Sequence, residues 1–417
     1  EPILSSTYGI ILYQEQVMQI AVNIAGYSLS EADNLRKAMT RLSKEEMERQ
    51  KKRFIEGSTC RGYHITTAKE IFKLISKFAS YGFVKAHAAA YAELSYKTCY
   101  IKAHYPAELL SVILTDNSGY YGRAQYIEEA RRFGIKIKLP DINRSGLKFS
   151  VEDKGKSIRI PLLTVKGVGH RSVSSIISER NRNGKFKDFT DFYRRISKNS
   201  ARITGKAVIN LIKAGAFDFT GLKRKHLLLS CHHLISNKNI RGCGEHLLLR
   251  YENHSKDFNL REILEMEEEI LGFCASSSPL QYFKGELEDY CTVGSSRFPG
   301  LAGSKENIFS AGIIITRKIK KTRGGKNMLL CTMEDEDGMY ESVFFPGVYK
   351  KNLKTMSGRS AVIIKGRICS KDGHLSVIAE DAVSLAGLKK NKSRTRKDSI
   401  KNDLLEKAGS AWEIREG

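Results

Sequence analysis

No two of the eight cysteines in this 417-residue chain are spaced as a CxxC pair, so the sequence carries no disulfide framework and no tight zinc knuckle. Their scatter fits reduced thiols and a cytoplasmic setting. No apolar run approaches the roughly 20 residues that a membrane helix needs, and no charged, apolar, small-residue leader opens the chain. Proline is scarce at seven residues, while hydrophobic residues make up 41% and long stretches keep helical periodicity, which excludes a disordered tail as the class of the whole. Acids are also short, 46 against 70 lysines and arginines. The resulting net charge of +24 and pI near 9.6 favour a polyanionic partner, nucleic acid ahead of an anionic membrane. A chain this long implies about two to four domains. It opens on Glu1 and not on methionine, which reads as part of a longer protein.

Residues 12 to 114 read as a run of helices. Ser43 with Glu46, and Thr67 with Glu70, have the S/T-x-x-E spacing of capping boxes. Ile71, Leu74, Ile75 and Phe78 share one face at helical spacing and read as core. A glycine break at Tyr81-Gly82-Phe83 precedes a second helix, Ala86 to Lys102, and a third runs from Ala124 to Phe133. A short strand from Ser157 leads into Lys166-Gly167-Val168-Gly169-His170 and a helix, Ser172 to Arg180. A glycine turn feeding a helix start offers backbone N–H groups to phosphate, as a helix-hairpin-helix element does; the same GxG also serves as ordinary turn chemistry. Lys206 to Ala214 and Gly215-Ala216-Phe217 follow. Residues 231 to 257 read as a linker. Within it Cys231, His232, His233, Cys243 and His246 could ligate zinc chemically, but their spacing fits no two-by-two set, and no metal site is assigned. Acids at Glu265, Glu267, Glu268 and Glu269 in the helix Asn259 to Gly272 read as a solvated face.

The last domain changes period. Ile308 to Arg317, Asn327 to Glu334, Met339 to Phe345, Ser360 to Cys369 and His374 to Glu380 alternate as strands, with glycine turns between them and a helix, Val348 to Met356, after the third. Five strands with that insertion give an OB-fold barrel. Basic residues Arg317, Lys318, Lys320, Lys321, Arg323 and Lys326 lie next to Phe344 and Phe345, the combination that holds single strands; strand alternation also requires one face to be core. Beyond residue 387 the chain is a basic tail.

These residues resemble a known family, the bacterial DNA polymerase III alpha subunit. Tyr13-Gln14-Glu15-Gln16-Val17-Met18, Leu35-Arg36-Lys37-Ala38-Met39, Tyr81 to Tyr91, Lys102 to Glu108 and Pro140-Asp141-Ile142-Asn143 are similar to its fingers in order. The resemblance continues through Val165 to Gly169, Leu211 to Phe217 and the barrel. It implies a multidomain, mainly α protein ending in an all-β OB-fold barrel: fingers over 1–145, a helix-hairpin-helix domain over 146–230, a linker and helical segment over 231–300, the barrel over 301–386 and the tail over 387–417. It implies that Arg36, Lys37, Lys85 and His87 face the phosphates of an incoming deoxynucleoside triphosphate, where cations suit phosphoryl transfer. Lys37 stands where the family has a second arginine and Ala86 where it has a serine. DNA contacts are expected from Lys166, Gly167, Gly169, His170, Arg171, Arg317, Arg323, Lys326, Phe344 and Phe345.

The palm aspartates that hold two Mg2+ ions in this family have no counterpart in the chain, so no catalytic residue and no resident cofactor is assigned, and the chain alone is expected not to polymerise. The partners implied are primer-template DNA, single-stranded template, deoxynucleoside triphosphate and the palm half; no membrane is implied. No glutamine-led hydrophobic peptide stands between residues 220 and 260, which leaves the sliding clamp an open partner. Gly119-Tyr120-Tyr121-Gly122 and the short stretch after the barrel are similar to the short or error-prone paralogues. A stand-alone, non-catalytic DNA-binding protein is the alternative, separable by whether the upstream coding DNA encodes a palm. A zinc-dependent nuclease or ligase would need ligands that the sequence does not supply.

Overall fold

The computed structural model describes residues 2–41, 44–78, 82–197, 203–236, 256–304, 306–357, 361–371 and 373–385. The chain forms two compact units, Glu1–His104 and Tyr105–Gly417.

The first unit is helical: α1 (Gln14–Ala25), α2 (Leu29–Arg41), α3 (Lys44–Cys60), α4 (Ile65–Phe78) and α5 (Lys85–His104). Val17, Ile20, Leu35, Phe54, Phe72 and Ile75 form its core. Helix α4 begins two residues before the expected box, so Thr67 lies inside it and the His64 ring, which accepts from the Thr66 amide at 3.4 Å, does the work at its start. Ser43 lies outside the described residues. Ala68, Phe72 and Ile75 are the buried stripe of α4, while Leu74 is 49% exposed. Leu74 instead lines an apolar pocket with Ile71, Phe78, Ile10, Ile20 and Ile24. Along the 20 residues of α5 no side chain is buried.

The second unit begins with α6 (Pro106–Asp116) and α7 (Arg123–Arg132). A small sheet of order β1-β3-β2 follows, from β1 (Lys136–Lys138), β2 (Ser150–Glu152) and β3 (Ser157–Arg159). Three-residue strands are too short to show alternation, so the sequence signals only the strand at Ser157, and that one ends at Arg159. Helices α8 (His170–Asn183), α9 (Phe189–Ser197), α10 (Gly205–Lys213), α11 (Arg224–Ser236) and α12 (Leu260–Leu271) complete the helical part. Helix α11 covers the first residues of the expected linker. One hydrophobic core runs from Ala107 to Ala275 and crosses the expected boundaries at 145 and 230. Phe192 and Phe217 stack edge-to-face at 5.0 Å, with Phe189 5.2 Å from Phe217 and Phe186 5.2 Å from Phe192.

The barrel consists of β4 (Ile308–Lys321), β5 (Asn327–Glu334), β6 (Met339–Phe344), β7 (Ala361–Lys371) and β8 (His374–Ser384), with α13 (Pro346–Ser357) between the third and fourth strands. It closes in the order β4-β5-β6-β8-β7, the OB arrangement, with β6 and β8 parallel. Gly366 sits at a register shift where a Cβ would come within 2.3 Å of the Ile378 carbonyl oxygen, so only glycine lets β7 and β8 approach there.

Within this unit α7 is tied to the barrel. Arg132 donates to Glu334 at 3.0 Å, Arg131 pairs with Glu128, and Arg131 also donates to the carbonyls of Cys274 and Ala275 at 2.9 and 2.8 Å. Burial pushes Glu334 up to about 7 despite Arg132 beside it. An acid with a raised folded value holds its proton longer folded than unfolded, so its stabilising contribution is full below the ordinary 4.5 and is lost as pH rises through about 7. Glu152 has the opposite sign: a hydrogen bond from Arg159 holds it down at about 2, so its contribution is lost only as pH falls from 4.5 toward that value. Glu334→Gln is therefore expected to flatten the melting temperature between about pH 5 and 7. Calorimetry of both proteins checks this, and an unchanged pH profile would contradict it.

Candidate nucleic-acid interface

The turn before α8 is built by three backbone constraints. Val168 N–H donates to the Val165 carbonyl at 3.0 Å and closes the turn. Gly167 takes φ +83°, the left-handed region in which a Cβ is strained. Val165 and Val168 are buried in the core, which turns Lys166, Gly167, Gly169, His170 and Arg171 out to solvent. Gly169 is the N-cap of the 14-residue α8 and no side chain caps it. The first amides of that helix thus face solvent with the positive end of its dipole, flanked by Lys166 and Arg171. Two groups support the turn from behind. The Asn210 side chain on α10 donates to the Lys166 carbonyl at 2.6 Å, and Lys166 N–H donates to the Ile270 carbonyl of α12 at 3.0 Å. Neither support lies near the turn in sequence, although a lone asparagine within the apolar run Ala207 to Ile212 is a readable signal.

On the barrel, β4 and β5 project as a hairpin whose residues 316 to 321 are exposed. Lys321 pairs with Asn327, and Arg323 and Lys326 flank the Gly324-Gly325 turn, both exposed. Arg317 is partly committed to structure: its Nε donates at 2.6 Å to the Met356 carbonyl near the end of α13, one of the oxygens that a helix terminus leaves unpaired. The two phenylalanines separate. Phe344 pairs with Leu329 across β5 and is fully buried, so its ring fills the barrel and offers no face to a base. Phe345 follows it at the strand end and is 48% exposed. Register places Leu329 between Phe344 and Ile319, so β6 ends level with a position two pairs from the Lys321–Asn327 pair that closes the basic turn.

In the first unit the four cations form two pairs. Arg36 and Lys37, on α2, both engage Asp33 at 2.7 Å. Those hydrogen bonds, Lys37 first, hold the Asp33 carboxyl below its usual range. Lys85 and His87 open α5. The Lys85 backbone N–H donates to both oxygens of Glu15 at 3.0 and 3.1 Å, and its ammonium lies 5.8 Å from the centre of the Tyr13 ring. His87 is exposed, with its ring 4.5 Å from that of Tyr91. The start of α5 is held to the start of α1, since Gln14 N–H donates to the Phe83 carbonyl at 2.9 Å and its side chain to the Gly82 carbonyl at 3.0 Å. The Tyr13 to Gln16 stretch thus acts as the seat for Lys85.

Cys231 is buried in the helical core, where burial pushes its thiol up to about 11 and away from ligand chemistry. The side chains of His232, His233, Cys243 and His246, and the basic tail, lie outside the described residues. Mg2+ in a polymerase needs converging carboxylates. Among the described residues no three His, Cys, Asp or Glu side chains converge as a metal set, so those residues do not fit the ion. No helix among them is long and apolar enough to cross a membrane.

Residues 1–62 match the family described as bacterial DNA polymerase III alpha subunit finger domain, and residues 134–227 match the helix-hairpin-helix motif. The DNA polymerase III subunit alpha of Aquifex aeolicus is 36% identical over 371 residues, 88% of this chain and 31% of that one. That of Staphylococcus aureus strain MSSA476 is 36% identical over 408 residues, 96% of this chain and 37% of its own. The chain therefore spans about a third of the length of the curated relatives it matches. A crystal structure of the S. pombe Stn1-ten1 complex matches 25% of this chain and 76% of that chain at 17% identity, with a TM-score of 0.17.

Proposed function

We propose that this chain, a portion of a bacterial DNA polymerase III alpha subunit, holds primer-template DNA and the incoming deoxynucleoside triphosphate for nucleotidyl transfer performed by residues outside it. The observation that carries the reading is the turn at Lys166 to Arg171. An uncapped helix start, two flanking cations and a left-handed glycine together make a cradle for a phosphate of the DNA backbone.

The barrel supplies the second contact. Lys318, Lys320, Lys321, Arg323 and Lys326 track the backbone of the single-stranded template while Phe345 stacks on a base. The first unit supplies the third: Lys85 and His87, with Arg36 and Lys37 exchanging Asp33 for phosphate oxygens, neutralise the triphosphate. Arg36 can bind two oxygens in its fork; Lys37 serves as a point charge.

The reading is tested with the whole chain. Primer-template DNA should bind more tightly than duplex or single strand alone, because only it can engage the helix-hairpin-helix turn and the barrel at once. With Mg2+ and all four deoxynucleoside triphosphates the chain should leave the primer at its original length. Measurable extension would overturn the assignment of chemistry elsewhere, and equal affinity for the three DNAs would overturn the division of labour.

A further inference from the structure

Helix α10 buries Ala207, Val208, Leu211 and Ile212, and among them sits Asn210, only 8% exposed. An amide in such a position destabilises the fold unless its hydrogen bonds are met. Its donor is met by the Lys166 carbonyl at 2.6 Å, 44 residues away in sequence and on the turn described above. The N–H of that same residue donates to the Ile270 carbonyl at 3.0 Å. Lys166 is thereby gripped at both ends by two separate helices. A Cβ on Gly167 would lie 3.7 Å from the Asn210 amide nitrogen, so the side chain packs directly beneath the glycine.

We propose that Asn210 is a positioning residue for DNA binding: its side-chain amide locks the Lys166 carbonyl so that Gly167, Gly169, His170 and Arg171 present their N–H groups in one preset direction. The inference rests on the reading that this turn contacts DNA. Glycine at 167 gives the chain the left-handed turn but also leaves it free to rotate. The lock removes that freedom before the phosphate arrives, so binding does not have to order the turn. Asn210 carries no charge and touches no DNA in this account. Its loss should therefore act through order, at unchanged net charge for a neutral substitution.

The test compares the whole wild-type chain with Asn210→Ala and the neutral, similarly sized Asn210→Leu, and in parallel with Arg171→Ala. Duplex affinity is measured well below the melting temperature, and hydrogen exchange is followed at the hydrogen-bonded turn amides of Lys166 and Val168. Both Asn210 variants should bind roughly tenfold more weakly, the usual scale for a lost buried hydrogen bond, and their turn amides should exchange faster while those of the barrel do not change. A lower melting temperature with wild-type affinity and wild-type exchange at the turn would make Asn210 a core residue only and overturn the proposal. If Asn210→Leu does not fold, Asn210→Ala decides. Should Arg171→Ala weaken binding while the Asn210 variants do not, the positioning role fails alone. Should none of the three weaken it, the assignment of DNA to this turn fails as well.

Discussion

Replacing both Lys166 and Arg171 with alanine is expected to weaken primer-template binding by roughly ten- to a hundredfold near physiological salt, and to make the plot of log affinity against log salt shallower by about 2. Both side chains are exposed at the mouth of α8, so removing them costs little folding stability, of the order of 0.5 kcal/mol or less. What is lost is counterion release from two phosphates, a term that does not depend on base sequence. The double variant should therefore lose affinity equally for unrelated DNA sequences while its melting temperature stays within a few degrees of the parent. Fluorescence anisotropy over a salt series measures the slope directly. An unchanged slope would place the phosphate contacts on other surfaces.

The two adjacent barrel phenylalanines should respond in opposite ways. Phe344 is fully buried against Leu329, and Phe344→Ala should cost the fold about 3–5 kcal/mol through the cavity it leaves. Phe345, 48% exposed beyond the strand end, should cost the fold little when replaced by alanine. Its loss should instead weaken single-strand affinity by about 1–3 kcal/mol, the value of one base stacked on a ring. Chemical denaturation and single-strand binding, run on both variants, separate the roles. Equal effects of the two substitutions on single-strand affinity at matched stability would remove Phe345 from the contact surface.

How far such roles can be read before folding depends on how local their causes are. The strand Asn327–Glu334 is legible to the residue, because apolar alternation is bounded by Gly324-Gly325 on one side and Asp337-Gly338 on the other. The same alternation, counted from Tyr340 through Ser342, already points Phe344 inward. The glycine turn at Lys166 is equally visible, since its chemistry lies in five consecutive residues. Asn210 and Ile270 are not, because their target is distant in the chain and only packing brings them under it. Arg317 reads as a free cation in sequence for the same reason: the carbonyl it meets belongs to Met356. The ion pair of Arg132 with Glu334 joins residues about 200 apart, and nothing in either neighbourhood announces the other. Arg36 and Lys37 are intermediate, because Asp33 stands three and four residues before them, at the spacing that pairs on a helix.

The proposed function requires that exposed cations and helix-start amides hold a nucleic-acid backbone. It is tested most directly by the affinity of the whole chain for primer-template DNA between about 50 and 200 mM salt, where several phosphate contacts give a straight log-log decline of steep slope. A loss of affinity of at least about a thousandfold over that range is expected for six or more contacts. Affinity that stays level as salt rises would contradict it.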